Sequence, residues 1–391
     1  MFAISPRHWS ILAIGLIAAP ASAMDWKNDH LSVSLSLFMQ ARVEGALEVR
    51  DRDGERADLA GVTTDDPQWV DASFRRLRFT MRGSYYEDTR FNLVLSADRL
   101  GEHRAQTDSD GNVTGMSAND GGNIGVLYAW VSHRWQLESG THTLKFGKDF
   151  PFFNPSIADS SARMLFPSNR PTAVFSPDNT VGLSYTWEIP VLRLGFDVMN
   201  PRNDSRNIFA SMRAETSLKP EWRMTRTESM LGREGFGHVI GLAAGLRTDD
   251  HSNDDGYIQA GIDYNLHWNA VTANVDAIIR RAEANADKNL KSESASQWGI
   301  NLQAGYAIPR ANGQVIEPAL RVAFFDMGHS QAPDISSASF ESVDSGIQME
   351  AGLNYYIQGH NHKFQIAYCH WQANRGDARK HVLRLQHQLL F

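Results

Sequence analysis

The chain has 391 residues, 42% apolar and 10% aromatic, with a formal charge of −7. That length admits two or three ordinary domains or one large all-β unit, and the negative balance argues against general binding of nucleic acid. A single cysteine, Cys369, excludes an intrachain disulfide, so an exported form must be held by its own fold.

The first residues, MFAISPRHWSILAIGLIAAPASA, join Arg7 to an apolar run from Ile11 to Ala19 and a small-residue site at Ala21-Ser22-Ala23. This is the pattern of a secretory signal over 1–23, expected to be removed after Ala23, leaving 24–391 as one unit with a formal charge of −8. The apolar run is about half of what a spanning helix needs, and no later run is long enough to supply one.

From residue 31 onward apolar and polar residues alternate. LSVSLSLFM sets Leu31, Val33, Leu35, Leu37 and Met39 against three serines, and YIQAGIDYNLHW sets Ile258, Ile262 and Leu266 against Gln259, Asp263 and His267. Segments of about ten such residues fit strands crossing a bilayer with one face in lipid and the other in a wet lumen. A soluble β-sandwich also alternates, so the connections must discriminate. Fifteen strands are clear: 31–49, 73–86, 89–98, 124–135, 141–149, 180–188, 191–200, 237–247, 256–267, 269–280, 297–308, 315–326, 345–357, 362–372 and 380–391. Long and short connections alternate between them, as outer-membrane barrels require, only if one more strand lies within 201–236. EWRMTRTESM, residues 221–230, is the candidate, with LGREGFG as its turn. The expectation is therefore an all-β, 16-stranded antiparallel transmembrane β-barrel. The alternating last strand, ending on Phe391, suits a barrel of the bacterial outer membrane.

The second strand contains FRRLRFTMRG, residues 74–83. Arg76, Arg78 and Arg82 share the lumen parity, opposite Leu77, Phe79 and Met81, so what first looks like a basic patch reads as a ladder inside the barrel. Arg75 has lipid parity at the outer end, where lipopolysaccharide phosphates could meet it. Lys145, Arg193, Arg280, Arg321 and Arg384 have lumen parity too, as do Asp98, Asp197, Asp263, Asp276, Glu317 and Glu350. Opposed rows of charge make a transverse field across a pore. The third long connection, DFPFFNPSIADSSARMLFPSNRPTAVFSPDN, is too apolar to remain in solvent. Folded inward, it would bury Phe152, Phe153, Leu165 and Phe166 on the wall and bring Arg163 and Arg170, with Lys148 at the strand end, to a constriction.

RRLRFTMRGSYYEDTRFNLVLSAD, then FGKDFPFF, SNRP and SPDNTVGLSY, resemble the phosphate-selective porin O and P family over residues 73–187. The resemblance implies a sixteen-stranded homotrimeric channel whose arginine ladder leads to a lysine-rich constriction. This chain departs from that pattern, with no lysine between Pro151 and Asn179. The functional expectation is a passive porin for small hydrophilic solutes, favouring anions such as phosphate, with outer-membrane lipid and lipopolysaccharide around it. The alternatives are a plugged barrel serving as an outer-membrane enzyme or adhesin, and an exported soluble β-protein. No enzyme motif and no cofactor set emerges: the nucleophile elbow and P-loop are absent, and GHNH at 359–362 reads as a solvated turn without a third metal ligand.

Overall fold

A computed structural model of the protein describes residues 24–51, 53–57, 70–107, 113–118, 124–153, 161–177, 179–200, 208–224, 226–248, 256–282, 295–328 and 345–391. Residues 1–23, where a signal is expected, and the acidic stretch 249–255 lie outside the described residues. Sixteen strands build the wall: β1 Leu31–Arg50, β2 Val70–Tyr85, β3 Thr89–Ser96, β4 Gly125–Leu137, β5 Gly140–Asp149, β6 Thr180–Ile189, β7 Leu192–Met199 and β8 Phe209–Thr216. They continue with β9 Phe236–Arg247, β10 Tyr257–Trp268, β11 Val271–Ala282, β12 Ala295–Tyr306, β13 Val315–Asp326, β14 Gly346–Gln358, β15 His362–Ala373 and β16 Arg379–Leu390. Each pairs antiparallel with its sequence neighbours, and β16 pairs with β1 from Phe38↔Leu390 to Arg50↔Arg379. The barrel is closed, so no strand edge is left for lipid to face. Phe391 joins the seam as well, exchanging backbone hydrogen bonds with Leu37 at 2.9 and 3.2 Å.

Alternation in sequence becomes two surfaces. Leu242, Ile258 and Leu320 stand outward and exposed, whereas Asn301, Glu317 and Arg321 on the same wall face inward and are buried. The hidden strand exists, but not where the sequence analysis places it. It is β8, FASMRAET, paired with β7 on one side and β9 on the other. Its outward face, Ala210, Met212 and Ala214, carries little apolar signal beside the bulkier strands. Residues 221–230 instead lie in the connection 217–235, which contains a short 3-10 turn at Pro220–Trp222.

The second correction concerns Arg75. On β1 and β2, Gln40 pairs with Arg76 but Ala41 pairs with Phe74, so Arg75 is the extra residue of a β-bulge. A bulge inverts the inside–outside phase beyond it. Arg75 and Arg76 are both buried, and Arg75 does not face the lipid.

Candidate functional site

The wall is shaped to receive the third long connection. Phe153, Leu165, Phe166 and Phe175 from this segment are all buried, while Phe152 is half-buried. Inward-facing glycines provide their seats. A Cβ on Gly195 would lie 2.8 Å from the Phe152 ring, one on Gly299 2.7 Å from Phe175, and one on Gly305 2.8 Å from Leu165. Polar wall residues then satisfy the segment's carbonyls. Lys363 Nζ donates to Met164 O at 2.8 Å, Gln365 Nε2 to Leu165 O at 3.2 Å and Gln388 Nε2 to Ala162 O at 3.0 Å. Arg42 donates to Pro167 O, and the Arg321 guanidinium lies 4.4 Å from the Phe166 ring. Burying irregular backbone is tolerable only when such partners exist.

A second segment meets the first. In the connection 217–235, Thr227, Glu228 and Ser229 are buried. Glu228 Oε1 accepts from Arg170 Nε at 2.8 Å and Oε2 from the Leu165 backbone N–H at 2.8 Å, while Arg170 Nη1 reaches Asp276 at 3.2 Å. Burial opposes ionisation of Glu228, but Arg170 and then Arg321 outweigh it and hold the carboxyl below its usual range. Asn265 Nδ2 donates to Thr227 O at 2.9 Å and Ser229 Oγ to Glu317 at 3.0 Å, fixing the same segment to β10 and β13. The two connections thus join across the interior through one arginine held between two carboxylates.

What remains is a cavity of about 1650 Å³ lined by β1 to β9, the ends of β14 and β16, and parts of both segments. Of the six residues singled out in the sequence, Arg78, Arg82, Lys145 and Arg163 line it. Arg78 is ion-paired with Asp98 and donates to Ser161 Oγ at 3.2 Å. Arg82 is exposed and donates to the neutral amide of Asn92 at 3.3 Å. Lys145 pairs with Asp149 and lies 4.9 Å from the Phe152 ring. Arg163 is exposed at the end of the short 3-10 turn Ser161–Arg163.

Arg76 and Arg170 do not line the cavity. Arg76 is buried, donating to Gln40 at 2.7 Å and to Asn169 at 2.8 Å. Arg170 is consumed by Glu228 and Asp276. Lys148 is also absent from the lining, because it has the opposite parity to Lys145 on β5. The carboxylates placed inward by parity do face inward, and Glu350 sits between Arg321 at 3.0 Å and Arg384 at 3.2 Å.

Four further cations line the cavity, Arg193, Arg213, Arg223 and Arg226, beside the carboxylates Asp149, Glu188 and Glu215. Arg193 has the lumen parity expected of it. Arg213 was missed with its strand, and Arg223 and Arg226 lie in the segment assigned to that strand in error. His360 of GHNH is not simply solvated: it faces the cavity, its Nε2 3.2 Å from Ser229 O. Burial first, then the nearby Lys363, lowers its pKa to about 3. Among the described residues no cluster of three or more His, Cys, Asp or Glu could hold a metal ion.

Residues 52–234 match the family model described as phosphate-selective porin O and P. The chain is a porin, and just under half of it resembles that family. By sequence, no curated protein is a significant match. Among solved structures the porin resembles the outer-membrane channel DcaP of Acinetobacter baumannii, at 12% identity over 94% of this chain and 99% of that one, with a TM-score of 0.54. It also resembles OmpF of Salmonella typhi, at 12% identity over 94% and 100% of the two chains and a TM-score of 0.56. The anion-selective porin from Comamonas acidovorans follows, at 9% identity over 92% and 100% and a TM-score of 0.53. At these identities the likeness is one of fold. The porin is a transmembrane diffusion pore of the bacterial outer membrane, with the family and fold of a transport protein and not of an enzyme.

Proposed function

We propose that this porin favours anions, the class that includes phosphate, and that residues 150–153 and 161–177 form its constriction. The carrying observation is the charge of the cavity, where eight cationic side chains and three carboxylates form the lining and Asp98 and Asp263 behind it pair with Arg78, Arg213 and Arg226, leaving the cations in excess. Fixed charge on low-dielectric walls concentrates counter-ions and discriminates by sign without any chemical step. In this reading Arg78, Arg82, Lys145 and Arg163 line the anion path, while Arg76 and Arg170 hold the constriction in place. Export through the leader 1–23 and assembly as a homotrimer complete the proposal, supported by the signal pattern and the family resemblance.

Reversal potentials across a planar bilayer with a salt gradient test it. The wild-type channel should pass chloride over the alkali cation, and the double variant Arg78→Glu/Arg82→Glu should lose or invert that preference. Cation preference in both proteins would sink the reading, and absence of any current would favour a plugged barrel.

A further inference from the structure

The cavity wall is more than a ladder of arginines. Across three adjacent strands, Arg82 pairs with Asn92 and Asn92 with Trp130, so Arg82 and Trp130 stand in one inward-facing row with their Cα atoms about 10 Å apart at the strand separations. Beyond the indole, Phe152 rests on Gly195 with Lys145 Nζ 4.9 Å and the Arg193 guanidinium 5.1 Å from its ring. The Lys145 ammonium is also 5.9 Å from the Trp130 ring. The site therefore offers two aromatic rings with cations held over them, opening onto water.

The charges beside those rings are mostly offset. Arg78 has Asp98, Lys145 has Asp149, and the Arg193 guanidinium is 3.7 Å from Glu215. Arg82 differs, because its hydrogen bond goes to an uncharged amide and its side chain is exposed to the cavity. A polyvalent inorganic anion would meet carboxylates at Arg78, Lys145 and Arg193 and gain nothing from the rings. A monoanion with a flat apolar body fits both features: its carboxylate takes the fork of Arg82, and its ring sheds water against Trp130 and Phe152.

We infer that the favoured solute class is aromatic monocarboxylates, with Arg82 as the carboxylate contact and Trp130 and Phe152 as the ring surface. This rests on the anion reading and narrows it, away from inorganic phosphate.

The test is block of single-channel chloride current through the full barrel by sodium benzoate, sodium acetate or inorganic phosphate. Benzoate should half-block at a concentration about tenfold below acetate, or about 1.4 kcal/mol, and also below phosphate. Trp130→Leu and Phe152→Leu should each bring benzoate to within about twofold of acetate, the fold of each variant being checked by its heat-modifiable mobility. Chloride preference with all three anions blocking alike, or with phosphate strongest, overturns this inference and leaves the anion channel standing. Benzoate selectivity that survives both substitutions overturns the site. Sodium preference over chloride, or no current, overturns the anion reading itself and the inference with it.

Discussion

The two sides of the lumen use the same inward-facing polar residues for different work. Along β10 to β16, groups such as Asp276, Arg321, Lys363 and Gln388 are buried against the two connecting segments, where they close hydrogen bonds. Along β2 to β7, Arg78, Arg82, Lys145 and Arg193 border open space. Alternation assigns a side chain to the interior, but only the path of a distant segment decides whether it becomes an anchor or a lining group. A cation on the filled side should matter to stability, and one on the open side to selectivity.

The sharpest way to break this contrast is Glu228→Ala. It leaves the Leu165 N–H without its acceptor and Arg170 with one carboxylate instead of two, so the joined segments should lose roughly 3–5 kcal/mol of local stability. Faster hydrogen exchange across 161–177 and a larger, noisier conductance are the expected readouts. Next comes Gly299→Leu, which fills the seat of Phe175. Overpacking there should cost about 1–3 kcal/mol of unfolding free energy, read by denaturant titration, and dislodge the same segment. On the open side, Arg82→Gln should leave the unfolding free energy within about 0.5 kcal/mol of wild type while lowering the chloride preference in reversal potential. A stability loss as large as that of Glu228→Ala would erase the distinction between the two sides.

The smallest expected effect is a pH dependence at the turn 359–361. His360 titrates near 6.5 when unfolded and is lowered to about 3 in place, so the unfolded state binds more protons between those values. The contribution of the neutral imidazole is fully present above pH 6.5 and is lost as pH falls toward 3. Protection of the turn amides, relative to their intrinsic exchange at each pH, should therefore fall on acidification through that window, and His360→Asn should flatten the response.

How much of this was legible follows from what each signal depends on. Strand period is local, so the parity of Arg78, Arg82, Lys145 and Glu350 could be read directly, and the alternation of long and short connections by itself required a sixteenth strand. The position of that strand escaped because Ala210 and Ala214 leave the lipid face of β8 weak, while Trp222 and Met224 imitate an alternating pair. Arg75 escaped because a single parity was carried through the bulge, although the outward apolar residues change there from Ala72 and Phe74 to Leu77 and Phe79. Arg76 and Arg170 were identified as inward cations, yet their partners, Asn169, Glu228 and Asp276, lie on other connections and strands. No local pattern encodes such meetings. The inward glycines at 195, 299 and 305 were the one available clue to where the loop would dock, visible as gaps in otherwise polar rows.

The seam between β1 and β16 carries a consequence for how the barrel comes into being. Every other wall contact can form within a hairpin or between neighbouring hairpins, but the Gln40–Gln388 hydrogen bond, at 2.7 Å, joins residues 348 apart in the chain. Contacts of such separation are paid for in loop entropy before they return anything. The cylinder is therefore a curled ribbon until its final strand arrives, and the segments that fill its interior can lock into place only once the ribbon has met itself.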